Sequence, residues 1–272
     1  MWRSDRMIHY KSAEEIELIR NSSLMVSATH AAVVPFIQPG VTTAKLDSIA
    51  ESFIPDNGGV PAFKGYRGFP GTLCISINEE VVHGIPSTRE IKEGDVVSVD
   101  CGVRMNGYYG DSAFTYPVGD VKVEYLHLLK ITLESLFKGI EQARLGNRMG
   151  DIGFAIQHHT EKLNGYGVVR ELIGHGVGKN LHEEPDVPNY GKRGNGLKLQ
   201  PGLVIAIEPM INLGTYKVRQ LKDGWTIVTA DGKPSAHFEH TVAITETGPK
   251  ALSNHELIFN EIKNNAYITD FR

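Results

Sequence analysis

Val96-Val97-Ser98-Val99-Asp100-Cys101-Gly102-Val103-Arg104-Met105-Asn106-Gly107-Tyr108-Tyr109-Gly110-Asp111 is the stretch whose reading decides the fold. Val96 to Val103 is β-rich, and Asn106-Gly107 is the strongest two-residue hairpin signal, because a type I′ turn needs positive φ at both central positions. With that loop, Met105 pairs with Tyr108 and Gly102 with Asp111. Asp100 lies two residues before Gly102 and so shares its face. Asp100 and Asp111 become diagonal neighbours, ~7 Å apart at the backbone. Two carboxylates that close repel unless cations sit between them. Taken singly, each is more simply a strand-end Asp or a solvated hairpin Asp; the shared face argues for a site.

A second apolar strand ends in the same way. Pro201-Gly202-Leu203-Val204-Ile205-Ala206-Ile207-Glu208 matches Glu93-Gly94-Asp95-Val96-Val97-Ser98-Val99-Asp100 in running from a Gly through five residues to an acid. A carboxylate there is costly unless it meets a cation or is fully hydrogen-bonded. The surrounding pattern is also doubled. Ser12-Ala13-Glu14-Glu15 is an N-cap opening a helix to about Ile37, and Thr42 to Ile54 is a second helix. Val123 to Ala143 and Met149 to Leu163 are a second helical pair, followed by strands at Leu203–Ile211, Gly224–Thr229 and Ala236–Thr245. Helix, helix, strands therefore occurs twice, which predicts an internal duplication with halves about 10–118 and 119–250. No low-complexity linker divides them, so 1–272 is expected to be a single catalytic domain.

In Ala236-His237-Phe238-Glu239-His240-Thr241-Val242-Ala243, alternation puts His237, Glu239 and Thr241 on one side; an exposed edge would explain Glu239 alone equally well. Gly174-His175-Gly176-Val177-Gly178 sets a histidine among glycines, which let the backbone and a ligand come close. His182 follows in Leu181-His182-Glu183-Glu184-Pro185, and His83 in His83-Gly84-Ile85-Pro86. All three read as loop histidines, and the spacing is not that of a helical His-Glu-x-x-His metal site.

The 272 residues, 41% hydrophobic, suffice for one large α/β unit, and a net charge of −4 gives no global basic field toward DNA. The two cysteines, Cys74 and Cys101, are too few for a secreted disulfide framework and suit a cytoplasmic location. The start, Met1-Trp2-Arg3-Ser4-Asp5-Arg6, is charged rather than apolar, Met7 is an alternative first residue, and no run is apolar enough for a membrane helix.

Together these residues resemble the methionine aminopeptidase family, in its short, type I bacterial form. The resemblance runs from about Lys11 to Leu252. It rests on Cys74-Ile75-Ser76-Ile77-Asn78-Glu79, His83-Gly84-Ile85-Pro86, the pair Asp100 and Asp111, Gly174-His175-Gly176-Val177-Gly178 with His182-Glu183-Glu184-Pro185, Glu208-Pro209, and Phe238-Glu239-His240-Thr241. It implies an α+β, pita-bread fold, two pseudo-symmetric halves around a central antiparallel sheet. It implies that Asp100, Asp111, His175, Glu208 and Glu239 bind two divalent metal ions; an oxygen-rich donor set with one imidazole suits Co, Mn or Fe(II). Asp100 and Glu239 are expected to bridge the ions, Asp111 to chelate one, and His175 and Glu208 to hold the other. Glu208 is expected to shuttle the proton of the attacking water, His182 to donate to the scissile carbonyl, and His83 to contact the amide nitrogen beside it.

The resemblance also maps a methionine pocket to Phe63, Tyr66, Phe69, Cys74, Leu181 and Trp225. Phe63 is often Cys in the family and Leu181 often Phe; both stay apolar, so the preference for methionine is retained while the pocket's shape changes. Read without the family, these are ordinary core residues. Asn78 and Ser235 match positions near a monovalent cation. The expected partners are N-termini of nascent polypeptides, met by a monomer, with Lys217, Arg219 and Lys222 as a basic loop for a transient ribosome contact. One competing expectation is a proline-specific peptidase of the same fold, against which stands the short stretch before His83. Another is a non-catalytic binding module, against which stand five intact acid or imidazole positions.

Overall fold

Ser12 opens the first helix with a capping box: its side chain accepts from the Glu15 N–H, and Glu15 Oε2 accepts from Ser12 N at 3.0 Å. The computed structural model describes residues 7–272, so the charged start at Met1 to Arg6 lies outside the described residues. The helix runs over Ala13–Val33 and continues as a 3₁₀ turn, Val34–Phe36. Pro35 lacks the N–H that a further α-helical turn needs. The second helix is Thr43–Asp56, and the second pair is Val123–Gln142 and Met149–Gln157, the latter extended by a π-helical turn, His158–Lys162.

The hairpin forms in the expected register. Asn106 and Gly107 have φ of 51° and 85°, and strand Val96–Met105 pairs with Tyr108–Pro117 so that Met105 faces Tyr108 and Gly102 faces Asp111. On its other edge Val96–Met105 pairs with Leu73–Ile77, placing Cys74 opposite Asp100. A five-stranded antiparallel sheet carries the second acid-ended strand, in the order Gly248–Ala251, His240–Thr245, Val204–Ile207, Gly174–Gly176, Glu183–Val187.

Two strands expected to be continuous are broken. Val204–Ile207 and Met210–Asn212 belong to different sheets, parted at Glu208-Pro209, where the proline has no N–H for a ladder. Ser235–His237 and His240–Thr245 are likewise parted at Phe238-Glu239. There the Glu239 N–H leaves its own sheet and donates to Ala113 O at 3.0 Å. Ser112 Oγ donates to Glu239 O at 2.7 Å, and Thr115 Oγ1 both donates to His237 O and accepts from His237 N. These bonds stitch the hairpin to the second sheet along a seam.

The matched segments have matched geometry. Gly94 and Gly202 have φ of 85° and 89°, and each N–H donates to the carbonyl of a distant strand end, Val118 and Ile244. Isolated bridges join Thr42 to Glu90 and Arg148 to Lys198, each just before a helix. One continuous apolar cluster runs through both segments, from Val26 and Leu46 through Val99, Phe114 and Leu136 to Ile205, Phe238 and Ile258. No helix among the described residues is long and apolar enough to cross a membrane.

Candidate metal centre and substrate cavity

A cavity of about 220 Å³ is lined by Asp100, Asp111, His175, Glu208 and Glu239, by His83 and His182, and by Phe63, Tyr66, Phe69, Cys74, Leu181 and Trp225. Every residue singled out from the sequence as ligand, catalytic group or pocket wall thus meets in one place.

Backbone geometry brings the acids together. The hairpin register sets Asp100 and Asp111 on one face. The strand breaks deliver Glu208 and Glu239 from the other sheet. His175 sits in a short strand rather than a loop, and its glycines serve backbone packing: a Cβ at Gly174 would stand 2.2 Å from Ala206 O, and one at Gly176 2.3 Å from Glu184 O. The strand is wedged between its neighbours, and His175 Nδ1 donates to Gly176 O at 2.9 Å, leaving Nε2 turned to the acids. Nε2 lies 3.5 Å from Glu208 Oε1 and 3.9 Å from Asp111 Oδ2. Donor atoms of Asp111, His175 and Glu239 all lie within 4.8 Å of one another.

The charge balance of this cluster calls for cations. Burial pushes the carboxyls of Asp100, Asp111, Glu208 and Glu239 all upward; the charges of neighbouring acids add to the rise at Asp111 and Glu239. Asp100 Oδ1, Asp111 Oδ1 and Glu239 Oε1 are buried without a hydrogen-bond partner. Orphaned buried carboxylate oxygens are costly unless something positive meets them. A set of four carboxylates and an imidazole fits hard or borderline divalent cations.

The wall is apolar. Phe63, Phe69, Cys74 and Leu181 form a buried cluster against which Tyr66 and Trp225 pack. Phe69 meets Trp225 edge to face at 5.2 Å. Burial drives the Cys74 thiol up, so it is a neutral, soft wall. The two histidines are held neutral: burial first, then His237, lowers His83 to about 4, and burial first, then His175, lowers His182 to about 3. His83 itself has φ of 59°, and a Cβ on the following Gly84 would stand 2.1 Å from Ile75 O.

Sequence reasoning missed His237, Met210 and Arg67, which also line the cavity. His237 is 2% exposed, and its Nε2 lies 3.5 Å from Glu208 Oε2, mirroring His175 on the other oxygen. Alternation had put His237 on the side of Glu239, so a signal was present; a buried imidazole beside an acid is hard to tell from an edge residue in sequence. Asn78 and Ser235 lie apart from the cavity lining. Ser235 N donates to Asn78 O at 2.9 Å, Asn78 Oδ1 accepts from Val96 N, and Ser235 Oγ donates to Asn212 Oδ1.

The profile of Metallopeptidase family M24 matches residues 17–246. The chain is 51% identical to methionine aminopeptidase 1 of Bacillus subtilis, over 89% of this chain and 97% of that one. It is 51% identical to a methionine aminopeptidase of Clostridium perfringens, over 91% and 99%. Among solved structures, a methionine aminopeptidase from Thermotoga maritima superposes with a TM-score of 0.89 at 42% identity, over 91% of this chain and all of the other. A prolidase from Pyrococcus horikoshii gives 0.72 at 25% identity, and the match spans only 64% of its length. The pita-bread architecture is shared by both kinds of neighbour. The chain belongs to metallopeptidase family M24, and within it to the methionine aminopeptidases.

Proposed function

We propose that this protein removes the N-terminal methionine from polypeptides by metal-dependent hydrolysis. The observation that carries the reading is one cavity in which a carboxylate and imidazole cluster adjoins an apolar wall of side-chain size. Relatives at 51% identity over nearly their whole length are named methionine aminopeptidases, whereas the prolidase neighbour is longer and more distant.

Asp100, Asp111, His175, Glu208 and Glu239 would hold two divalent ions, with Co, Mn and Fe(II) the species suited to these donors. The closeness of Asp111, His175 and Glu239 supports their place in this ligand set. Bound there, the ions would neutralise the buried carboxylates and make hydroxide available near neutral pH. Glu208 accepts the proton of the attacking water. His182, neutral, donates from one ring nitrogen to the scissile carbonyl as its oxygen becomes negative. His83 contacts the adjacent amide nitrogen. Phe63, Tyr66, Phe69, Cys74, Leu181 and Trp225 hold the methionine side chain, and their walls exclude water.

The chain acts as one catalytic unit with halves about 10–118 and 119–250, a reading supported by the paired glycines and bridges that precede each half's strands and helices. It works as a monomer in the cytoplasm on nascent N-termini, a setting suited to two buried, unpaired cysteines. Exposed Lys217, Arg219 and Lys222 supply a transient, salt-sensitive ribosome contact. A monovalent cation near Asn78 and Ser235 would rest on main-chain oxygens, since both side chains are committed. Peptides X-Ala-Ser with X as methionine, leucine, norleucine or lysine test the pocket. Methionine and norleucine should be cleaved well ahead of leucine and lysine; equal cleavage of all four contradicts the assignment.

A further inference from the structure

Tyr66 does more than form a wall. Its Oη lies 2.9 Å from His182 Nδ1, and the two rings stack with centroids 5.3 Å apart and planes 23° apart. Among the described residues Tyr66 Oη has no other hydrogen-bond partner, and neither has the His182 ring. His182 also meets His175, centroid to centroid at 4.1 Å. The imidazole thus touches both a phenol and His175.

We propose that Tyr66 is a positioning residue that fixes the tautomer of His182, keeping the ring proton on Nε2. The inference rests on the hydrolytic role proposed for His182. Neutral imidazole has one donor and one acceptor nitrogen. If Tyr66 Oη–H donates to Nδ1, the phenol proton is satisfied and Nε2–H is free to donate to the substrate carbonyl. If Nδ1–H donates to Oη, the phenol proton is left to solvent, and Nε2 presents a lone pair to an incoming carbonyl oxygen. The second arrangement sets two acceptors, Nε2 and the substrate carbonyl oxygen, against each other. The first is therefore the arrangement that can donate to the substrate, and the Tyr66 hydroxyl is placed to hold it. The same arrangement explains how a residue at the exposed rim of the cavity can hold one orientation: stacking on Tyr66 supplies the plane and the hydroxyl supplies the rotation.

The test uses Tyr66→Phe, which keeps the ring and removes the hydroxyl. Two-bond ¹H–¹⁵N correlations on histidine-labelled protein, metal-free and zinc-loaded, report the tautomer directly. The wild-type protein should show His182 protonated at Nε2, and Y66F should show a mixture with the Nδ1–H form. With Met-Ala-Ser, kcat of Y66F should fall about 10-fold while KM and the preference for methionine over leucine stay within about 2-fold. Wild-type His182 protonated at Nδ1 overturns the inference without recourse to any variant. So does a Y66F protein with unchanged tautomer and kcat, or one that loses KM or selectivity while kcat holds, since that is the signature of a wall. Methionine release by the wild type is scored separately: its absence removes the hydrolytic reading, whereas the tautomer result stands on its own.

Discussion

Asp111 and Thr241 exchange hydrogen bonds across the seam between the two sheets: Asp111 N donates to Thr241 Oγ1 at 3.1 Å, and Thr241 Oγ1 donates to Asp111 O at 2.8 Å. Thr241 is fully buried and stands two residues from Glu239. The pair therefore fixes the distance between Asp111 on the hairpin and Glu239 beside the second sheet, two of the proposed ligands. Thr241→Val keeps the shape and removes both bonds. A buried N–H left unmet costs about 1–3 kcal/mol, and loss of such ligand support weakens metal affinity about 10- to 100-fold. Urea unfolding and titration of the stripped protein with Mn should show both losses; wild-type values for both would mean the seam does not set the site.

Gly176→Ala should be more severe than its size suggests. The added methyl would stand 2.3 Å from the carbonyl oxygen of Glu184, and backbone cannot yield as a side-chain tip does. Overpacking of this kind costs about 1–3 kcal/mol or more. The strand bearing His175 should shift, so metal binding should weaken together with stability in calorimetry and metal titration.

The hairpin was legible because its turn chemistry admits few alternatives. Asn106-Gly107 sets the register, the register sets the faces, and the faces bring Asp100 and Asp111 together. The doubled Gly-to-acid strands were legible for a similar reason, since left-handed glycines at Gly94 and Gly202 leave a mark in sequence. The breaks at Glu208-Pro209 and Phe238-Glu239 were not. Apolar runs on both sides look continuous, and only the second sheet reveals that the strand changes partner. The strand wedging His175 and the helix His255–Ile262 also escaped notice, the first because its glycines signal a loop, the second because eight residues give little periodicity.

Lys11 and Glu183 form an ion pair at 2.7 Å, with side chains 4% and 5% exposed. Glu183 Oε1 also accepts from Asn180 N at 3.0 Å. The pair ties the start of the chain to the segment that carries His182. Lys11→Met leaves a buried carboxylate without its cation, at a cost of about 3–5 kcal/mol. Chemical denaturation should show that loss, and Lys11→Met with Glu183→Gln should recover part of it.

His30 gives a pH dependence of known sign. It is buried, its Nε2 donates to Ser112 O at 2.9 Å, and Tyr116 Oη donates to Nδ1 at 3.1 Å. Burial lowers its pKa from 6.5 to about 4. Between those values the unfolded chain takes up a proton that the folded protein refuses, so stability is full above about 6.5 and declines as pH falls toward 4. The decline amounts to about 3 kcal/mol from this residue. His30→Gln, which cannot titrate, should lose less stability than the wild type between pH 7 and pH 4. Equal losses in urea titrations across that range would contradict the assignment.

The central claim is that the cavity, loaded with divalent ions, releases methionine from an N-terminus. The most direct measurement is hydrolysis of Met-Ala-Ser, Leu-Ala-Ser and Ala-Pro by chelator-stripped protein, with Mn, Fe(II) or Co added back. Release of methionine that depends on metal, with little cleavage of the other two, is the predicted result. Preferential cleavage of Ala-Pro, or no cleavage by protein shown to have bound its ions, would contradict it.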